Sequence, residues 1–246
     1  MGRYSREAKT VTIIWAIFTV LGVLLTLFAH RLLPGLFPVA ASSLARTQDF
    51  TLGLFTVLGV PVAMLVWVIA AYSVAVGGSR EMPSDEGPRI HGNFKVQIAW
   101  LTSSAALCIG LIVYGLALLP EIYTPHAGNN LVVDVTGQQW QWTFSYPGYG
   151  NATSTTLELP VGEPVTFNVT SVDVTHSFWV PAFGVKVDAN GGEVTNAYVV
   201  PDVLGNYTVR CAEFCGLYHA YMQAPVHVVT ASVFSAWISG VQGTNA

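Results

Sequence analysis

Residues 211–222 read "CAEFCGLYHAYM". They lie between two runs with strand character, "NYTVRC" (206–211) and "APVHVV" (224–229). Both are short and rich in Val, Tyr or Thr, as half-buried strands are. The stretch is therefore expected to be a loop at one end of a β-domain, where a rigid scaffold commonly carries a site. Cys211, Cys215, His219 and Met222 fall within it, and all four are soft or borderline metal-ligand types.

The strand character extends outward from this loop. From Leu131 the chain holds "LVVDV", "QWQWTFSY", "TTLELP", "PVTFNVTSV", "HSFWVPAF" and "EVTNAYVV", separated by turns such as "PGYGN", "VGEP" and "DANGG". Many short strands at this spacing predict an all-β sandwich or barrel, and about 100 residues suffice for one. The final residues from Trp237 lose the pattern and are expected to fray. Residues 121–246 carry nine acidic and two basic side chains (Lys186 and Arg210), a net charge of −7. That acidity suits a positively charged partner; solubility alone is the other reading. No nucleic-acid partner is expected.

The first half differs. The chain of 246 residues is 52% hydrophobic and 10% charged, against about 25% charged in average proteins. Uncharged runs near 10–29, 52–77 and 96–119 are each long enough to cross about 30 Å of hydrocarbon. Arg3, Arg6 and Lys9 before the first run, with "SLA" ahead of Arg46, also resemble a leader and its cleavage site. The run is, however, longer than the usual leader core, so three retained spans are expected. Arg3, Arg6 and Lys9, with Arg80, Arg89 and Lys95 after the second run, favour those segments inside and the β-domain outside. The fold class is thus a membrane-anchored α+β chain: helical region 1–120, then an extracytoplasmic all-β sandwich or barrel over 121–246, which resembles the cupredoxins in carrying its candidate ligands on a late loop.

Three readings compete for the cysteine pair. A disulfide across so short a loop removes little unfolded-state entropy. Free thiols would be kept reduced only with difficulty in an exported domain. A metal accounts for both cysteines and for the His and Met beside them. Thiolate, imidazole and thioether together favour copper over calcium, magnesium or manganese, and a single blue copper needs one Cys where this loop has two. A second His is then wanted, and His176 in "DVTHSFWVPAFGVKVD" is the candidate. His30 and His91 lie at span ends, His126 sits in a linker, and His227 in "PVHVV" suits an outward or hydrogen-bonded role. Two thiolates, two imidazoles and a thioether suit a pair of coppers bridged by sulfur. Such a site carries electrons and leaves no vacancy for substrate.

These motifs, with "GQQWQWTFSYP" before them, closely resemble subunit II of the haem–copper oxidases, of the cytochrome c oxidase type with a binuclear copper (CuA) site. The resemblance runs from about His91 to Val229. It implies His176, Cys211, Cys215, His219 and Met222 as copper ligands, with the Glu213 carbonyl. It also implies the Glu213 carboxylate on a magnesium or manganese ion at the boundary with subunit I, and Trp140 as the residue where electrons arrive from cytochrome c. Parity along one strand does not separate Trp140 from Trp142. The implied function is an electron-accepting subunit of a terminal respiratory oxidase in the cell's inner membrane. It would pass electrons to haem in subunit I, for oxygen reduction with proton pumping.

Two features depart from the family pattern. Three spans stand where two are usual, and Gln97 stands where many members place a Glu near a proton path. Gln97 cannot exchange a proton at ordinary pH. The alternatives are the copper subunit of a nitric oxide reductase and a membrane-anchored copper delivery protein. Cys108, inside the third span, is read as apolar packing.

Overall fold

The computed structural model describes residues 2–33, 37–77, 92–124 and 129–244. His91, His126, Arg80 and Arg89 lie outside them. The chain divides into two compact units, one of Met1–Phe37 and Thr51–Ala117, the other of Pro38–Phe50 and Leu118–Ala246.

The first unit contains helix α1 (Gly2–Leu32) and most of α2 (Ser43–Gly77) and α3 (Phe94–Tyr123). All three helices are long and apolar enough to cross a membrane, over Arg6–Ala29, Ser43–Val76 and Phe94–Tyr123. Helix α1 packs on α2 at a close approach: a Cβ on Gly22 would stand 2.8 Å from a methyl of Val60. The Trp15 indole N–H donates to the Pro61 carbonyl at 2.8 Å. Inside a bilayer such a bond has no competing water. Cys108 is a free thiol exposed on its helix.

The second unit is a sandwich of two five-stranded sheets, the all-β sandwich expected. Strands β1 (Leu131–Gln138), β2 (Gln141–Tyr146), β3 (Ala152–Ser154), β5 (Val165–Ser171) and β8 (Thr195–Val199) form one sheet, in the order β3-β2-β1-β5-β8. Strands β4 (Leu157–Pro160), β6 (His176–Val180), β7 (Val185–Ala189), β9 (Gly205–Cys211) and β10 (Gln223–Val229) form the other, in the order β4-β10-β9-β6-β7. Burial alternates along β1, β5 and β10, so apolar side chains on one face of each strand fill the space between the sheets. At the centre, Phe178 meets Trp142 at 5.7 Å and Phe167 at 5.1 Å between ring centroids. Edge-on and tilted aromatic pairs of this kind add to burial.

Two features extend the sandwich beyond its strands. The tail expected to fray is ordered instead: helix α4 (Ala231–Thr244) buries Phe234 and Ile238. Phe234 and Trp237 pack their rings on Tyr146 at 6.1 and 5.4 Å. Apolar side chains spaced three and four apart make this an amphipathic helix rather than a strand. The other extension is Pro38–Phe50. Ala41 donates to the Ala182 carbonyl at 2.7 Å and accepts from Asp202 N–H at 3.0 Å. The Ser42 hydroxyl donates to the Phe183 carbonyl at 2.8 Å and accepts from Ala45 N–H at 3.0 Å. It thereby caps the start of α2. Arg46 closes the contact with a two-pronged ion pair to Asp202.

Trp142 is fully buried against His176 and Phe178. Trp142→Ala is expected to cost about 3–5 kcal/mol, read as a lower denaturant midpoint. An unchanged midpoint would contradict this core.

Candidate metal centre

The site forms where strand ends and one loop meet. Strand β6 begins at His176 and β9 ends at Cys211, and the two strands are neighbours, with Phe178 opposite Cys211. The loop 212–222 then turns back into β10, and Cys211 N–H donates to the Met222 carbonyl at 3.0 Å to close it. Gly216 has φ 122, a region that disfavours a side chain. A Cβ there would lie 3.0 Å from the Gln139 amide and 3.4 Å from the Trp140 ring.

Six sequence-derived donors converge. The Cys211 and Cys215 sulfurs are 3.8 Å apart. His176 Nδ1 lies 3.8 Å from Cys211 Sγ, and His219 Nδ1 lies 3.5 Å from Cys215 Sγ. Met222 Sδ is 3.7 Å from Cys215 Sγ, and the Glu213 carbonyl oxygen is 3.2 Å from Cys211 Sγ. His176 and Met222 are fully enclosed, the cysteines are buried, and His219 is half-exposed. His176, Cys211 and Cys215 suffice alone as a candidate metal cluster. The donor set of two sulfurs, two imidazoles, a thioether and a carbonyl fits copper and does not fit a hard cation. The Glu213 side chain is exposed and points into no cluster among the described residues.

Burial here opposes a bare thiolate. Burial foremost, then the neighbouring Cys211 thiol, push the Cys215 thiol up to about 12. Both thiols must lose protons to ligate, so metal uptake releases protons and strengthens as pH rises.

Three supporting residues were not singled out from the sequence. Asp173 Oδ1 lies 2.9 Å from His176 Nε2. With Nε2–H donating to it, Nδ1 is left free to face the sulfurs. Partial burial works against the ionised Asp173 carboxyl. The Gln139 amide, the His176 ring and the Val174 amide outweigh it and hold the group at about 2. Gln139 is the second: its side-chain amide donates to the Cys215 carbonyl at 2.7 Å. Gly137 is the third. A Cβ there would come within 3.0 Å of the His176 ring and 3.1 Å of Trp142, so a side chain would press both rings aside by a few tenths of an ångström. The only textual signal was the spacing of Asp173 three residues before His176. Asp173→Asn is expected to lower copper affinity about 10–100-fold. Unchanged affinity in a competition titration would contradict an orienting role.

The two tryptophans separate clearly. Trp142 is in β2, in the core, whereas Trp140 sits in the hairpin turn between β1 and β2 and is half-exposed. Trp140 stacks edge-on against Tyr218 of the cysteine loop, with centroids 4.8 Å apart. His227 takes the hydrogen-bonded role expected of it. It lies on β10, with Nδ1 3.0 Å from Glu158.

Residues 151–230 match the family described as cytochrome c oxidase subunit II, periplasmic domain. Cytochrome c oxidase subunit 2 of Alkalihalophilus pseudofirmus is 31% identical over 194 residues, covering 75% of this chain and 57% of that protein. Quinol oxidase subunit 2 of Bacillus spizizenii is 32% identical over 161 residues, covering 63% of this chain and 50% of that protein. The chain thus spans about half the length of these relatives. Among solved structures, the periplasmic domain of subunit II of cytochrome oxidase from Bradyrhizobium japonicum is 29% identical. It covers 48% of this chain and 98% of that one, with a TM-score of 0.47.

Proposed function

We propose that this chain is a member of the cytochrome c oxidase subunit II family and the electron-accepting subunit of a terminal respiratory oxidase. It is membrane-anchored, with its β-domain outside. The observation that carries the reading is the convergence of both thiols, both imidazoles, the Met222 thioether and the Glu213 carbonyl within 3.2–3.8 Å of a partner donor.

In this reading His176, Cys211, Cys215, His219, Met222 and the Glu213 carbonyl hold two copper ions. Bound there, the pair would supply a one-electron relay. The rest is the protein's own work. Asp173 fixes the His176 ring, and the half-exposed Trp140 offers an indole edge to a soluble donor such as cytochrome c. Trp140 also touches the cysteine loop twice: through Tyr218, and through its neighbour Gln139, which is bonded to the Cys215 carbonyl. That gives a short through-bond connection from the surface to the thiols. The exposed Glu213 carboxylate, beside its own ligating carbonyl, is free to bind a magnesium or manganese ion shared with subunit I. Haem and oxygen chemistry, and any proton pumping, belong to that partner in the inner membrane. The burial of His176 and Met222 counts against a delivery protein, whose ligands must exchange.

The test is to purify the full chain from its native membrane and look for a haem-bearing chain with it. The preparation should consume oxygen with reduced cytochrome c. Purification without haem, or turnover with quinol alone, would overturn the reading.

A further inference from the structure

Trp140 is half-exposed, yet its indole Nε1 is enclosed, and that N–H has no hydrogen-bond partner among the described residues. A buried indole N–H usually finds one. Without it, packing alone fixes how the ring is turned. The enclosed edge lies on Gly216: a Cβ added there would stand 3.4 Å from both Nε1 and Cζ2 of the indole. Tyr218 supplies the neighbouring wall. Its ring meets the indole at 82°, with centroids 4.8 Å apart, and is itself flanked by Tyr221 at 6.4 Å. Edge-on pairs of this kind favour one relative orientation of the rings.

Gly216 is a short step from the donor set. One peptide bond joins it to Cys215. Its carbonyl accepts from the His219 N–H at 3.2 Å. Cys215 Sγ and His219 Nδ1 are in turn 3.5 Å apart. The indole edge thus touches a backbone unit that is bonded to one candidate ligand and hydrogen-bonded to another. The Tyr218 ring reaches His219 only by way of its own side chain and backbone, a longer run of bonds.

We propose that electrons leave the indole edge of Trp140 directly for the Gly216 backbone, and that Tyr218 is the positioning residue that keeps that edge in place. The proposal rests on the reading of Trp140 as the point of electron entry. One electron leaves the soluble donor and one arrives at the site. Trp140 and Gly216 bridge the transfer without being oxidised or reduced, and no proton moves. Tyr218 carries no electron; its ring stops the indole from turning away from Gly216.

The test is single-turnover reduction of the copper-loaded full chain by reduced cytochrome c, with Tyr218→Leu against wild type. Leucine removes the ring and lets the indole turn. The rate at saturating donor should fall about 10-fold, less than the ~100-fold loss that follows an ångström of misplacement. The donor concentration at half-saturation should not change, nor should the copper spectrum or the rate with a small reductant such as ascorbate. The conservative Tyr218→Phe keeps the ring and should restore the rate. A wild-type rate in Tyr218→Leu would overturn the proposal. So would a normal saturating rate with weaker half-saturation, which makes Tyr218 a donor contact. A loss that persists in Tyr218→Phe would assign the role to the hydroxyl and overturn it. Slower reduction by ascorbate as well would place the defect in the copper site, with the same consequence. A wild-type chain that binds copper but takes no electrons from cytochrome c would overturn the proposed function itself, and this proposal with it.

Discussion

Cys215→Ser abolishes the paired-copper signal in the expected result, and the loaded chain then holds one copper at most. Cys215 lies at the centre of the donor set: its sulfur is within 3.8 Å of Cys211 Sγ, His219 Nδ1 and Met222 Sδ alike. A serine hydroxyl is a hard, weakly acidic donor and does not bridge soft cations. What remains is one thiolate, two imidazoles and a thioether, the set of a single blue copper. Turnover with the soluble donor should fall by more than the about 10–100-fold that losing an outer supporting residue costs. The fold itself should survive, because serine nearly matches the cysteine in size. Full copper loading with an unchanged spectrum would refute the ligand set.

Trp140→Phe should have the second largest effect and the opposite signature. The copper spectrum stays, and transfer from the donor falls about 100-fold, the scale of loss that follows when a reacting group is misplaced by about an ångström. The argument is positional. Trp140 is in the β1–β2 turn and touches the cysteine loop at Tyr218, but it donates nothing to the sulfurs. Phenylalanine shortens the ring, opens a gap toward Tyr218 and leaves the donor set alone. Gln139 keeps its bond to the Cys215 carbonyl, so the loop should hold its shape. Electrons supplied by a small reductant should still reach the site at the normal rate. Normal turnover with the protein donor would show that electrons arrive elsewhere.

Much of this was legible in the sequence because the signals are local. An uncharged run of about 20 residues declares a span, and Val- and Thr-rich alternation declares strands. The cysteine loop could be placed between two strands because both flanking runs were clear. What escaped depends on contacts between distant residues. Arg46 meets Asp202 and Ala41 meets Ala182, so Pro38–Phe50 joins the β-domain; nothing in that segment's composition names a partner 140 or more residues away. The tail from Trp237 looked patternless because a strand period was sought where α4 follows the helical one. Trp140 and Trp142 shared a parity only while both were assigned to one strand. The turn between Gln138 and Gln141 removes that premise and separates their roles. Asp173 was hidden for another reason: an acid three residues before a histidine is common, and only the closed fold brings its carboxylate to Nε2.

The central claim is that two coppers share one site. The most direct measurement is the electron paramagnetic resonance spectrum of the purified full chain loaded with copper. A copper pair held by Cys211 and Cys215 would share one unpaired electron, so the account predicts hyperfine splitting from two equivalent copper nuclei. Splitting from a single nucleus, or a silent spectrum with tightly held Cu(I), would contradict it.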